Sequence, residues 1–201
     1  MFKRRTPRTW SRAIRETIYP PGGWKRAAGY VLMRLKRLPD TPQRIARGVA
    51  AGVFLAFSPL YGLHFIVTFL AAFVIRANVL AAVLASLIGN PLTWPLIITA
   101  SLATGENMLH RNSGVPRTSV IHEFGTALHQ IFANLMAMFT PAVAHWDRLA
   151  AFWHDIFLPF LVGGSILGFI FGGIAYFATV RALRAYQDHR RHQLKTHVQP
   201  H

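Results

Sequence analysis

The amino-acid sequence predicts an all-α fold: a polytopic membrane helix bundle with two proline-broken helical segments. Three observations carry this. The 201 residues are 52% apolar and 14% charged, too oily for a disordered chain and sized for one domain or one small bundle. The charge is segregated, with 13 Lys or Arg against 2 acids in residues 1–47, 5 against 1 in residues 181–201, and 4 against 4 between them. The apolar runs of that neutral middle are interrupted at prolines. Basic ends around an oily, neutral centre follow from the positive-inside rule, which keeps Lys and Arg on the cytoplasmic, anionic-lipid side. A net charge of +15 could also mark a nucleic-acid binder, but its placement beside apolar runs favours the membrane, and no nucleic-acid partner is expected.

The chain divides into a basic cytoplasmic or interfacial segment, 1–41, a membrane domain, 42–180, and a basic cytoplasmic tail, 181–201. The first long apolar run starts at Ile45, too late for the core of a cleavable signal peptide, so the preceding residues are expected in the mature protein. Trp10, Ile14 and Ile18 suggest a short helix stopped by Pro20-Pro21-Gly22-Gly23. Trp24, Ala28, Val31, Leu32, Leu35 and Leu38 then recur at helical spacing among Lys25, Arg26, Arg34, Lys36 and Arg37. That pattern reads as an amphipathic helix on acidic headgroups; the alternative is a solvated basic helix packed on the rest of the protein. Pro39 ends it, and Thr41 and Pro42 supply the cap and first position of the next helix.

The first broken segment is 42–76. From Ile45 to Ile75 the only strongly polar side chains are Arg47 and His64, and Ser58-Pro59-Leu60-Tyr61-Gly62 divides the run. Each half reaches only ~20 Å at ~1.5 Å per residue, short of a ~30 Å hydrocarbon core. The second broken segment, 79–103, repeats the pattern around Gly89-Asn90-Pro91-Leu92-Thr93-Trp94-Pro95. Ser58-Pro59-Leu60 and Asn90-Pro91-Leu92 each set a capping side chain before proline and leucine, so each break is expected to end one half-helix and start the next. Two independent proline kinks in ordinary spans are the alternative.

Residues 104–156 form an amphipathic region. Thr118 or Ser119 can cap a helix running to about Phe139, with Val120, Phe124, Leu128, Ile131, Leu135 and Met138 on one face and His122, Glu123, His129 and Gln130 largely opposite, ended by Pro141. The final span, 157–180, is the clearest, with 25 uncharged residues between Asp155 and Arg181. Gly164, Gly168 and Gly172 form a smooth stripe within it, suited to helix packing within the chain or between copies, so a homo-oligomer through the stripe is one expectation. Both basic ends belong in the cytoplasm, which demands an even number of crossings. The count closes if one broken segment re-enters while the other crosses, and Arg76 favours 45–75 as the re-entrant one.

Several stretches together resemble a known bacterial membrane family. They are Pro42-Gln43-Arg44-Ile45-Ala46-Arg47-Gly48 through Phe54, Ser58-Pro59-Leu60-Tyr61-Gly62-Leu63-His64, Arg76 with Asn78, Gly89 through Pro95, and Leu158-Pro159-Phe160-Leu161-Val162-Gly163-Gly164. In that order they are similar to the family called domain of unknown function 2062, over about Pro42 to Tyr176. The resemblance implies a helical inner-membrane protein and assigns no activity.

The residues themselves offer little catalytic chemistry. The chain has no cysteine, and no nucleophile elbow, phosphate loop or clustered carboxylates are evident, so no catalytic residue, cofactor or metal is expected and the chain reads as no enzyme. His122 and His129 are seven apart without a third ligand at evident spacing. The candidate residues for an anion or lipid are Arg44, Arg47, His64 and Asn90. The two arginines share a helical face near the headgroups, where snorkelling to phosphate also explains them. His64 is an ionisable group at membrane depth, or a neutral imidazole bonded to the freed carbonyls of the break. The helix-break set is Ser58, Pro59, Gly62, Asn90, Pro91 and Pro95. With half-helix starts at Pro59 and Pro91, the arginines could form a positive pocket. The expected function is an integral inner-membrane protein that binds or translocates an anionic lipid or small solute; the alternative is a non-transporting structural or adaptor membrane protein. The expected location is the bacterial cytoplasmic membrane, multi-pass, with both termini cytoplasmic and anionic headgroups as partners.

Overall fold

The computed structural model describes Arg26, Gly29, Tyr30, Met33, Arg34, Leu38 and residues 40–60, 62–111, 114–139 and 146–197, with side chains to His189. The expected helix around Trp10–Ile18, most of the amphipathic helix over 24–38, and Pro141 lie outside the described residues. Those described are helical, with no strand among them: α1 Pro42–Ala56, α2 His64–Val74, α3 Val79–Ser86, α4 Trp94–Leu109, a 3₁₀ turn Arg117–Ser119, α5 Val120–Ala137, α6 Asp147–Phe152, a π turn Trp153–Phe157 and α7 Leu158–His197. One helix among the described residues, Asp147–His189, is long and apolar enough to cross a membrane. The four helices of the broken segments are each too short to do so alone.

α1 starts as its sequence dictates. Thr41 is extended and its Oγ1 accepts the Arg44 N–H at 3.3 Å, with Pro42 in the first turn. Its end differs from expectation. The Ser58 hydroxyl donates to the Leu55 carbonyl at 2.7 Å, so Ser58 closes α1 and does not open the next helix at Pro59. The chain reverses through Gly62, at φ +79°, and α2 begins at His64, whose N–H donates to Leu60 at 2.8 Å. A reversal needs a left-handed residue, which glycine supplies without a Cβ penalty; this displaces the helix start beyond the serine-proline pair.

The second break follows the sequence more closely. The Asn90 side-chain oxygen accepts the N–H groups of Leu92 and Thr93 at 2.9 and 3.2 Å, and the Thr93 hydroxyl bonds the Ile88 carbonyl. The helix start is nevertheless displaced: α4 begins at Trp94, not at Pro91, because the Asn90 side chain closes a turn over residues 91–93 and does not cap the helix, and Pro95 falls in the first turn, where a missing N–H costs nothing.

The course of the helices follows from their close approaches. A Cβ at Gly48 would collide with the Asn78 carbonyl and one at Gly52 with that of Ala82, while Gly89 lies against Ala56. α1 and α3 therefore run parallel, with their starts and breaks level. Gly164, Gly168 and Gly172 abut Phe57, Phe54 and Ala50 in turn, so α7 runs antiparallel to α1. Gly163 abuts Ser101, and Gly105 abuts Pro159, so α7 is antiparallel to α4 as well. α3 and α4 thus travel the same way through the bundle, whereas α2 brings the chain back from the first break to the level of Asn78.

Three apolar clusters fill the bundle, the smallest being Ala72, Ala77 and Ala82 where α2 meets α3. Ile45, Val49, Val53, Phe57, Ala81 and Leu183 pack between α1, α3 and α7. Ile98, Leu102, Val120, Ile156 and Phe160 pack where α4, α5 and the start of α7 meet. The last helix does not stop at residue 180: it continues to His197, and the burial of Leu183 joins the first turns of the basic tail to the core. The helix of the amphipathic region spans Val120–Ala137, close to expectation, but Ser119 donates its hydroxyl to Pro116 and does not cap it.

Candidate functional site

The first turn of α1 and the last of α2 meet at one end of the bundle and form a clamp. α2 is closed by its C-cap Ile75 and the following Arg76, the latter left-handed at φ +51°. Their carbonyls are the orphaned acceptors of a helix C-terminus, a site that favours cations. Arg44 Nε donates to the Arg76 carbonyl at 3.2 Å, and Arg47 donates to Ile75 at 3.3 Å and Arg76 at 3.4 Å. Asp40 completes the arrangement. It pairs with Arg44 at 3.2 Å, accepts the Asn78 amide at 3.1 Å and accepts the Thr41 N–H at 2.8 Å. Burial alone would raise the Asp40 carboxyl, but the Asn78 amide, the Thr41 N–H and Arg44 together bring it below its ordinary value. Asn78 also caps α3 by accepting the Ala81 N–H at 2.8 Å, and its own N–H donates to the Arg44 carbonyl.

Beside the clamp runs a groove of about 480 Å³, walled by α1, α2 and α7. Arg47, Ile75 and Tyr176 line its clamp end, and Ala51, Ala71, Phe54 and the α7 glycines line the remainder. It is apolar except at that one end.

The inward face of α2 is polar. His64, Thr68 and Ala72, four apart, are buried, and the His64 Nε2 and Thr68 Oγ1 have no hydrogen-bond partner among the described residues, as is also true of Ser101 Oγ on α4. The outward face is apolar: Phe73 and Val74 are 72% and 77% exposed, with Phe65, Ile66, Phe69 and Leu70 beside them. At the far end, the buried Glu106 carboxylate pairs with both terminal nitrogens of Arg117 and ties the loop after α4 to that helix. Among the described residues no three His, Asp or Glu gather as a metal site would require.

A family model described as "Uncharacterized protein conserved in bacteria (DUF2062)" matches residues 25–192. The chain belongs to this family. No curated protein and no solved structure matches it. The stretches by which the chain resembles DUF2062 gather at two levels of the bundle. Arg44, Arg47, Gly48, Arg76 and Asn78 make the clamp, while Ser58, Pro59, Gly62, Asn90, Pro91 and Pro95 make the two breaks, level with each other. Arg47 and Ser58 are eleven residues apart on α1, so clamp and breaks are separated by ~16 Å. Arg44 and Arg47 therefore come together with Arg76, whereas His64 and Asn90 lie at the level of the breaks, and no single pocket holds all four. Gly164, Gly168 and Gly172 lie against this chain's own α1.

The pairing of Asp40 with Asn78 has no signal in the sequence, since nothing local links residues 38 apart. Thr93 is a functional side chain of the second break that the sequence does signal, since a hydroxyl three residues after Asn90 inside a break commonly bonds the turn's backbone.

Proposed function

We propose that this DUF2062 member is a multi-pass protein of the bacterial inner membrane that binds anionic lipid at the clamp, with both termini in the cytoplasm. The observation that carries the reading is the inverted burial of α2. A helix that turns His64 and Thr68 inward and an unbroken face of Phe, Ile, Leu and Val outward is suited to hydrocarbon, not water. In this reading α3 with α4 crosses, α7 crosses back, the 42–76 hairpin enters from the cytoplasmic side and returns, and residues 104–156 lie outside. The shared direction of α3 and α4, opposite to α7, supports two crossings, the even number that two basic ends require. Pro59 and Gly89, one in each break, are buried, and Gly89 lies against Ala56, whereas Gly62, Leu63, Pro91 and Leu92 are exposed, so neighbouring helices cover the irregular backbone only in part. Arg44, Arg47 and Arg76 against the single Asp40 leave the mouth of the hairpin positive, which supports an anionic headgroup as the ligand.

Two measurements test this. The full-length chain should stay with membranes through a carbonate wash, and its release without detergent overturns the membrane reading. Arg47→Ala should weaken binding of phosphatidylglycerol to the purified protein about fivefold, the loss expected for one cation at a lipid surface; equal binding by both forms overturns the lipid reading. A non-transporting structural role is the second reading, favoured by the bonds that commit Arg44 and Arg47 to capping α2. Reconstituted protein that leaves labelled anionic lipid no faster between leaflets than in empty liposomes supports that role over translocation.

A further inference from the structure

We infer that the groove between α1, α2 and α7 holds one acyl chain of a phosphate-bearing lipid, with its headgroup at Arg47 and Tyr176. The inference rests on the membrane reading above and makes the lipid contact a defined site in place of a diffuse attraction.

Three features argue for that occupant. The groove is polar at one end only, where the Arg47 guanidinium uses two of its five N–H donors on the Ile75 and Arg76 carbonyls and keeps three for a ligand. Tyr176 lies one helical turn beyond Gly172, which faces Ala50, and so adds a phenol at the level of Arg47. A charged head on an apolar body is the only lipid-like shape whose chemistry matches both parts. The second feature is Gly173. Gly164 and Gly168 abut α1, but a Cβ at Gly173 would meet nothing within 4 Å. No contact among the described residues requires a glycine there, and the space it keeps open belongs to the groove. The third is energetic. Bilayer tails are already apolar, so a chain gains little hydrophobic energy by leaving them for the groove; charge at the head and fit along the chain must select the occupant, and these are the two properties the groove has.

The test uses the full-length protein in phosphatidylcholine nanodiscs containing phosphatidylglycerol with a photoactivatable diazirine midway along one acyl chain. Adducts should concentrate on peptides covering residues 50–55 and 168–176. Gly173→Leu, whose Cβ enters the groove with no described atom within 4 Å, should reduce those adducts about fivefold or more, comparable to the effect of removing the Arg47 charge. Even labelling of the exposed faces of α2 and α7 in the wild-type chain overturns the inference, and this map decides by itself if the variant does not fold. Unchanged labelling of a folded Gly173→Leu chain also overturns it; if Arg47→Ala still weakens binding, the headgroup reading survives alone, and if neither variant has an effect, both fall. Equal labelling by a diacylglycerol probe overturns the phosphate requirement. A wild-type dimer that Gly173→Leu dissociates assigns the groove to a second copy and overturns the lipid.

Discussion

Asp40 shows how much one side chain can organise. It joins the N-terminus of α1 to the cap of α3 through Asn78 and balances Arg44, so three groups from two chain segments meet on one carboxylate. Its folded-state value lies below the ordinary 3.8. A lowered carboxylate stabilises the fold above the unfolded value, and that contribution fades as pH falls through the folded one. Asp40→Asn should therefore lower the thermal transition in detergent at neutral pH, and the gap between variant and wild type should close below about pH 3.8; a gap independent of pH would refute the charged role. Thr41 and Pro42 were legible in the sequence because capping is local chemistry. Ser58 was not, because a serine before a proline can serve a helix end or a helix start, and only the reversal at Gly62 decides between them.

Among the elements, α7 makes its closest approaches through glycines whose roles differ. Gly105 on α4 and Gly163 on α7 sit against backbone, where no rotamer change can make room. Gly105→Ala should cost at least 1–3 kcal/mol, the range for overpacking, whereas Gly173→Ala should be neutral or gain up to ~1 kcal/mol from helix propensity. Thermal unfolding of the two variants checks the contrast, and equal effects would contradict the packing. The sequence marked the stripe of Gly164, Gly168 and Gly172 by its spacing but could not name its partner, since a smooth face fits α1 and a second copy alike. Helix α2 teaches the converse. Its eleven residues are apolar almost throughout, so periodicity hid the burial of His64, Thr68 and Ala72 until the neighbouring helices were in place. The π turn at Trp153–Phe157 precedes Pro159, which lacks the N–H for a regular bond back to Asp155 and so disturbs the ladder there.

The described residues bring both ends of the 42–76 segment to one level and carry the end of α4, the start of α5 and the start of α7 to the other. Single cysteines placed in this cysteine-free chain at Arg76, Arg184 and Gln130 should report that arrangement: in the proposed orientation a membrane-impermeant maleimide labels positions 76 and 184 from the cytoplasmic side and 130 from the opposite side. Labelling of 76 and 130 from the same side contradicts the two-crossing course. The amino-acid sequence by itself determined helical content, the two breaks, the basic ends and the long final helix, because composition, proline and charge act over a few residues. Tertiary structure alone decided that Arg44 and Arg47 cap α2 beside Arg76, that they stand apart from His64 and Asn90, and that Gly173 opens onto a groove. Those facts depend on which helix returns beside which, and that is settled by close backbone approach between residues distant in the chain, for which a single sequence carries no local signal.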